Sequence, residues 1–234
     1  MTQHDELTAG QDWEQQARNW IAWARRPGFD SYWRYRDDFF ALVPPPGRAT
    51  LDIGCGEGRV SRDLAARGHT VTGVDAAPTL LAAAYDEDPK GAYLHADAAK
   101  LPFTDASFDI VVGYNTFMDV ADLPGTLREA CRVLAPGGRL CVAITHPITN
   151  TGTHASVGGE PEGSYFDTHR FEHWERRDGM EMLFQGWDHP LTAYTRPLED
   201  AGLLIEAIRE PSMLRADGSA PDKPYHLWFR AVRP

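Results

Sequence analysis

The stretch Leu51-Asp-Ile-Gly-Cys-Gly-Glu-Gly58 decides the reading of this chain, together with Asp75, which closes the next apolar run. Residues 49–53 are short and mostly apolar and read as a buried strand. Gly54, Gly56 and Gly58 follow at alternate positions, where the lack of side chains lets backbone approach a ligand closely. Residues 59–67 read as a helix stopped at Gly68, and its first turn offers free N–H groups to a carboxylate or phosphate. Residues 70–74 alternate as a second strand and deliver Asp75 to its C-terminal end. Ligands of open α/β sheets bind at that edge, and a carboxylate there accepts two hydrogen bonds from a vicinal diol. On these residues alone, the loop also reads as a plain glycine turn with Asp75 as an ordinary cap.

The spacing separates two kinds of ligand. Gly54-Cys-Gly56-Glu-Gly58 spells G-x-G-x-G, whereas a dinucleotide fingerprint is G-x-G-x-x-G. Asp52 adds an acid one residue before the strand's last apolar position. Three further segments follow in order: Leu94-His-Ala-Asp-Ala-Ala-Lys-Leu-Pro-Phe103, Ser107-Phe-Asp-Ile-Val-Val-Gly-Tyr-Asn115 and Arg132-Val-Leu-Ala-Pro-Gly-Gly-Arg-Leu140. With the loop they cover about residues 49–146, and the set resembles the class I S-adenosylmethionine-dependent methyltransferases (methyltransferase type 11-like).

That resemblance implies a doubly wound, Rossmann-like α/β sheet of seven strands, mainly parallel with the last antiparallel. It implies S-adenosylmethionine as cofactor, held by Gly54, Cys55, Gly56, Asp75, Ala76, Asp97, Ala98 and Asn115. Asp97 would accept from the adenine amino group while the Ala98 N–H meets a ring nitrogen; one acceptor beside one donor matches that edge of adenine. As a residue following a strand, Asp97 has a turn or cap aspartate as its alternative reading. The chain departs from the pattern once: many relatives carry a His near Asp119, in the segment Phe117-Met-Asp-Val120.

A chain of 234 residues buries a good core as one domain with an appended segment. Its formal net charge of −11 and lack of a basic run argue against a nucleic-acid partner, because phosphate neutralisation needs clustered Lys and Arg. Cys55, Cys131 and Cys141 show neither metal-ligand spacing nor a disulfide framework, and no metal is expected. The polar start and the absence of a long apolar run predict a cytoplasmic protein that neither spans nor enters a membrane.

Around the motif region, residues 1–11 are polar and are expected to be disordered. Residues 12–25 have helical spacing, with Trp13, Ala17, Trp20, Ile21 and Ala24 on one stripe; Pro27-Gly28 breaks it, and residues 31–42 read as a second, aromatic-rich helix. Residues 1–47 are read as a helical lid segment and 48–234 as the methyltransferase domain. Relatives often carry such a lid, which would bring Arg25 to the cofactor's carboxylate. Residues 78–85 and 123–134 read as helices, and 92–96, 108–113 and 139–145 as strands. Residues 147–190 read as a less regular substrate-side insertion whose Tyr165, Phe166, Phe171, Trp174, Phe184 and Trp187 supply aromatic wall for an organic pocket. A helix over 191–201 and strands over 203–209 and 225–232 complete the sheet, the last two joined by the loop 211–224.

The functional expectation is methyl transfer to a small organic molecule, with O, N or C as acceptor atom left open. Two alternatives stand beside it: a cofactor-binding regulatory partner or cyclisation catalyst without methyl transfer, and an NAD-dependent oxidoreductase. Fold and ligand site do not by themselves fix the reaction. A hydroxyl acceptor is helped by a base with pKa near working pH, which makes His the first choice. His146 is preferred over His154, His169, His173 and His189 because it directly follows the fifth strand.

Overall fold

The computed structural model describes residues 9–148, 164–211, 219 and 222–234. Helix α1 (Ala9–Ala24) and α2 (Tyr32–Phe40) precede β1 (Thr50–Ile53), α3 (Arg59–Ala66), β2 (Val71–Asp75), α4 (Pro78–Glu87) and β3 (Ala92–His95). Then come β4 (Phe108–Tyr114), α5 (Leu123–Val133) and β5 (Leu134–Thr145). A hairpin of β6 (His169–Arg177) and β7 (Met180–Asp188) precedes α6 (Leu191–Asp200), β8 (Leu204–Arg209) and β9 (His226–Val232).

Seven strands form one sheet in the order β3-β2-β1-β4-β5-β9-β8. The pairs from β3 to β5 are parallel, whereas β9 runs antiparallel to both β5 and β8, so it is the one reversed strand. Order reverses between β1 and β4, the switch point at which open sheets leave a crevice. The seven-stranded, mainly parallel expectation holds.

Both sheet faces are covered, which is why the central strands read as unbroken apolar runs. Leu140, Val142 and Ile144 point to one face, against Leu127 and Ala130 of α5 and Leu198 of α6. Cys141 and Ala143 point to the other, against Phe39 and Phe40 of α2 and Leu64 of α3. This is the period-two alternation of a strand with both sides buried. Within β5 the segment Pro136-Gly-Gly138 makes an irregularity: Phe108 pairs with Leu134, and the register slips before Ile110 meets Arg139.

Two expectations need correction. Helix α1 already starts at Ala9, inside the segment read as disordered; residues 1–8 lie outside the described residues. The insertion is more regular than its composition suggests: nine residue pairs join β6 and β7 around Asp178-Gly179. Both turn residues have positive φ, 49° and 78°, as a two-residue hairpin turn of the primed type requires. Residues 149–163, including His154, lie outside the described residues.

Candidate functional site

At the C-terminal end of β1, Gly54 and Cys55 both donate to the Val74 carbonyl of β2, at 2.8 and 3.0 Å. Gly54 has φ +67°, and a Cβ there would run into the Thr116 side chain, so only glycine lets the loop turn this tightly. Asp75 ends β2 and ties the loop to the next helix. Its Oδ2 accepts from the Gly56 N–H at 2.8 Å and its Oδ1 from the Ala77 N–H at 2.9 Å. Burial raises the Asp75 pKa above the ordinary carboxylate value, and the same backbone N–H groups pull it back down. Each oxygen keeps acceptor capacity for a ligand hydroxyl.

Asp52 lies beneath this loop, 1% exposed, with Ser61 Oγ donating to Oδ2 at 2.6 Å. Burial pushes its pKa up to about 7. At the end of β3, Asp97 Oδ1 accepts from the Ala99 N–H at 2.9 Å, so it does shape a turn, while standing exposed on the cavity wall. Asn115 closes β4 with φ 52° and its N–H on the Ala143 carbonyl at 2.8 Å. Its buried Oδ1 has no hydrogen-bond partner among the described residues.

These ends open on one cavity of about 1480 Å³. Gly54, Cys55, Gly56, Asp75, Ala76, Asp97, Ala98 and Asn115 all line it, so eight of the positions singled out in the sequence converge. The N-terminal helix and the hairpin build its roof. Trp20 of α1 lies over the loop, its Nε1 3.7 Å from where a Gly56 Cβ would stand. Phe184 of β7 packs edge-on against Trp20 and Trp23, with centroids 6.2 and 6.0 Å apart. Arg170 of β6 pairs with buried Asp12 of α1 at 2.8 Å, and the Trp187 N–H donates to the Met118 carbonyl at 2.9 Å.

Two expected site residues lie elsewhere. Arg25 is not on the cavity wall; its guanidinium pairs with Glu57 at 3.5 Å and Glu87 at 3.1 Å and donates to the Ala83 carbonyl. Glu57 is 2% exposed and needs cations, which Arg25 and Arg62 supply. The cavity cation on that side is Arg59, held by Asp30 at 2.5 Å and stacked on Trp20 and Tyr32. His146 is likewise off the wall: Nε2 meets Glu210 at 3.0 Å and Nδ1 accepts from the Ile148 N–H at 3.1 Å. It shapes the chain's exit from β5, the turn role that a His-Pro pair suggests.

Among the other histidines, His169 contacts the Ser164 carbonyl and His189 contacts Thr168, both off the wall, whereas His173 lines the cavity beside Glu175. Of the six insertion aromatics, Phe171 and Phe184 reach the cavity; Phe166 and Trp174 are exposed. Of the far wall, built by Met118, Asp119, Thr145, Tyr225 and His226, sequence reading singled out only Asp119. The available signal was β9 itself: an antiparallel strand delivers its first residue, His226, to the edge where parallel strands deliver their last, and Thr145 pairs with His226.

Residues 51–142 match the methyltransferase domain family known as Methyltransf_11. The chain is 28% identical over 198 residues to the demethylmenaquinone methyltransferase of Tropheryma whipplei, covering 78% of this chain and 82% of the relative. It is 30% identical over 201 residues to the 2-methyl-6-phytyl-1,4-hydroquinone methyltransferase of Synechocystis, covering 81% of this chain and 56% of that one. An S-adenosylmethionine-dependent methyltransferase from Mesorhizobium loti superposes with a TM-score of 0.66 at 21% identity, over 87% of this chain and 98% of its own, a likeness of fold. The family match, these relatives and the strand order agree: residues 51–142 form a methyltransferase domain on a Rossmann-like sheet.

Proposed function

We propose that this methyltransferase modifies a small organic acceptor, with the cofactor at the β1–β3 end of the cavity and the acceptor at the β4–β5–β9 end. The carrying observation is the cavity's size. At about 1480 Å³ it exceeds the roughly 300–1,000 Å³ of a pocket for one drug-sized ligand, so it has room for two molecules side by side.

The residues present fit S-adenosylmethionine. Gly54 and Gly56 leave the backbone open beneath Trp20, Asp75 offers carboxylate oxygens to the ribose, and Asp97 and Ala98 face the adenine position. The Asn115 Oδ1, buried without a described partner, suits the cofactor's ammonium group. When bound, the cofactor supplies a methyl group activated on a sulfonium, so the protein's part is chiefly positioning. Trp20, Phe184 and Phe171 roof the cavity, exclude water and present flat apolar faces to an acceptor.

A hydroxylated aromatic acceptor suits these walls, and relatives bear names of quinone- and hydroquinone-type substrates. The net charge of −11 repels nucleic-acid phosphates. Among the described residues no helix is long and apolar enough to cross a membrane. Calorimetric titration with S-adenosylhomocysteine and NAD tests the cofactor end; binding of NAD instead would restore the oxidoreductase reading. Labelled methyl transfer to a panel of phenols and dihydroxynaphthalenes tests the acceptor end. Tight cofactor binding without turnover across the panel would favour the non-transferring alternative.

A further inference from the structure

The turn after β4 places an unpaired carboxyl on the cavity's far wall. Asp119 is half-buried there, and its backbone is firmly held. Its N–H donates to the Thr116 carbonyl at 2.8 Å. The preceding residue is fixed twice: the Met118 carbonyl accepts from the Trp187 N–H of β7 at 2.9 Å, and its sulfur from the Thr145 N–H of β5 at 3.3 Å. Gly186 of β7 makes room for the carboxyl, since a Cβ there would stand 2.7 Å from Asp119 Oδ1. Neither carboxyl oxygen is sealed off, and neither has a hydrogen-bond partner among the described residues, so a ligand atom can reach them. The other carboxylates of the wall are all answered. Asp75, Asp97 and Asp122 accept from backbone N–H groups, Glu14 from Thr79, and Asp30, Glu57 and Glu175 pair with Arg59, Arg62 and Arg177.

Charge around Asp119 is as one-sided as its hydrogen bonding. Burial alone pushes its pKa well above the ordinary carboxylate range, and no described cation pulls it back. The ionisable neighbour on α6, Tyr194, feels the Asp119 charge and offers no positive charge in return. A desolvated carboxylate without a counter-charge is costly, so such a site favours the ligand that brings one and rejects the analogue that lacks it. Phe171, Phe184 and Tyr225 line the same cavity, and aromatic faces attract a cation while packing against an aromatic body. We propose that Asp119 selects the methyl acceptor by binding a protonated amine carried by an aromatic hydroxyl compound. The inference rests on the methyl-transfer reading above and names the acceptor's second recognition group. Asp119 acts through binding and orientation. The chain's net charge of −11 draws such a cation to the cavity and repels anionic acceptors.

The test compares tyramine with 4-propylphenol, which carries a methyl group in place of the ammonium, by calorimetry on the whole chain saturated with S-adenosylhomocysteine. The unsubstituted protein should bind tyramine more tightly by about tenfold to a hundredfold. Asp119→Asn keeps the side chain's shape and removes its charge; it should abolish that preference while S-adenosylhomocysteine affinity is retained. For a phenolic amine that the enzyme methylates, the variant should raise KM by about the same factor and change kcat less. Equal affinity for the two probes, no binding of tyramine, or a preference that persists in Asp119→Asn each overturns the proposal. The first two outcomes need no variant, so a folding defect cannot shield it. The cofactor's own sulfonium is the rival cation. If Asp119→Asn changes the ratio of S-adenosylmethionine to S-adenosylhomocysteine affinity by about tenfold, the carboxylate serves the cofactor and the acceptor assignment is overturned. Failure of the unsubstituted protein to bind S-adenosylhomocysteine would instead sink the methyltransferase site itself, so the two failures are distinguishable.

Discussion

Asp52 and Asp75 stand on neighbouring strands, and burial raises the pKa of both, yet they do different work. Asp52 is sealed under the loop with Ser61 for company, and its folded-state pKa of about 7 stands above the ordinary value near 3.9. A raised carboxylate pKa contributes stability that is fully present below the unfolded pKa and lost as pH rises through the folded one. From pH 5 to 8 the loss from Asp52 alone is about 2–3 kcal/mol. Asp52→Asn, which keeps an oxygen for Ser61, should remove it. Urea denaturation of both proteins at pH 5 and pH 8 should show the variant gaining relative stability at the higher pH; a pH-independent difference would place the titration elsewhere. Asp75, by contrast, faces the cavity. Asp75→Ala should weaken S-adenosylhomocysteine binding by about 1–3 kcal/mol, as expected when hydrogen bonds to a charged group are lost. Unchanged affinity in a folded variant, read by calorimetry, would remove Asp75 from the site.

The elements that build the cavity floor were legible because parallel strands leave local signals: apolar runs ending in Gly54, Asp75, Asp97 and Asn115. The roof was not. Hairpin β6–β7 lies over α1 with most of β6 at least partly exposed, so its residues show no clean burial alternation. Its one local sign was Asp178-Gly179 between two aromatic-bearing segments. His226 was overlooked for another reason: its place at the cavity edge follows from the reversed direction of β9, which the family resemblance implied but no local window of sequence carries. Arg25 went astray because buried Glu57 claims it. The roof's function is testable at Phe184. Each edge contact of its ring with Trp20 and Trp23 is worth about 0.5–1.5 kcal/mol beyond burial. Phe184→Ala should therefore speed amide exchange in α1 and lower S-adenosylhomocysteine affinity by about tenfold, or 1.4 kcal/mol. Parent-like exchange and affinity would make the hairpin a bystander.

At the scale of the molecule, the first 47 residues divide their work, although they read in sequence as one lid. Helix α1 roofs the cavity and is fastened to α4, where Glu14 accepts from the Thr79 N–H at 3.0 Å and its hydroxyl at 2.5 Å. Helix α2 covers the sheet: Tyr32, Tyr35, Phe39 and Phe40 are buried against Ile110, Val112, Cys141, Ala143 and Trp228. Fully burying one large apolar side chain stabilises by roughly 1.5–3 kcal/mol, so these four contribute on the order of 6–12 kcal/mol as an upper estimate. That is comparable with the whole stability of a typical domain, about 5–15 kcal/mol. Residues 48–234 are therefore not expected to fold alone. A chain starting at residue 48 should lose its cooperative urea transition, bind a dye for exposed apolar surface and aggregate. A shorter deletion ending before α2, at residue 30, should keep a cooperative transition while losing cofactor affinity. If the chain from residue 48 instead unfolds cooperatively with the parent's midpoint, α2 is an accessory and the lid reading extends over all 47 residues.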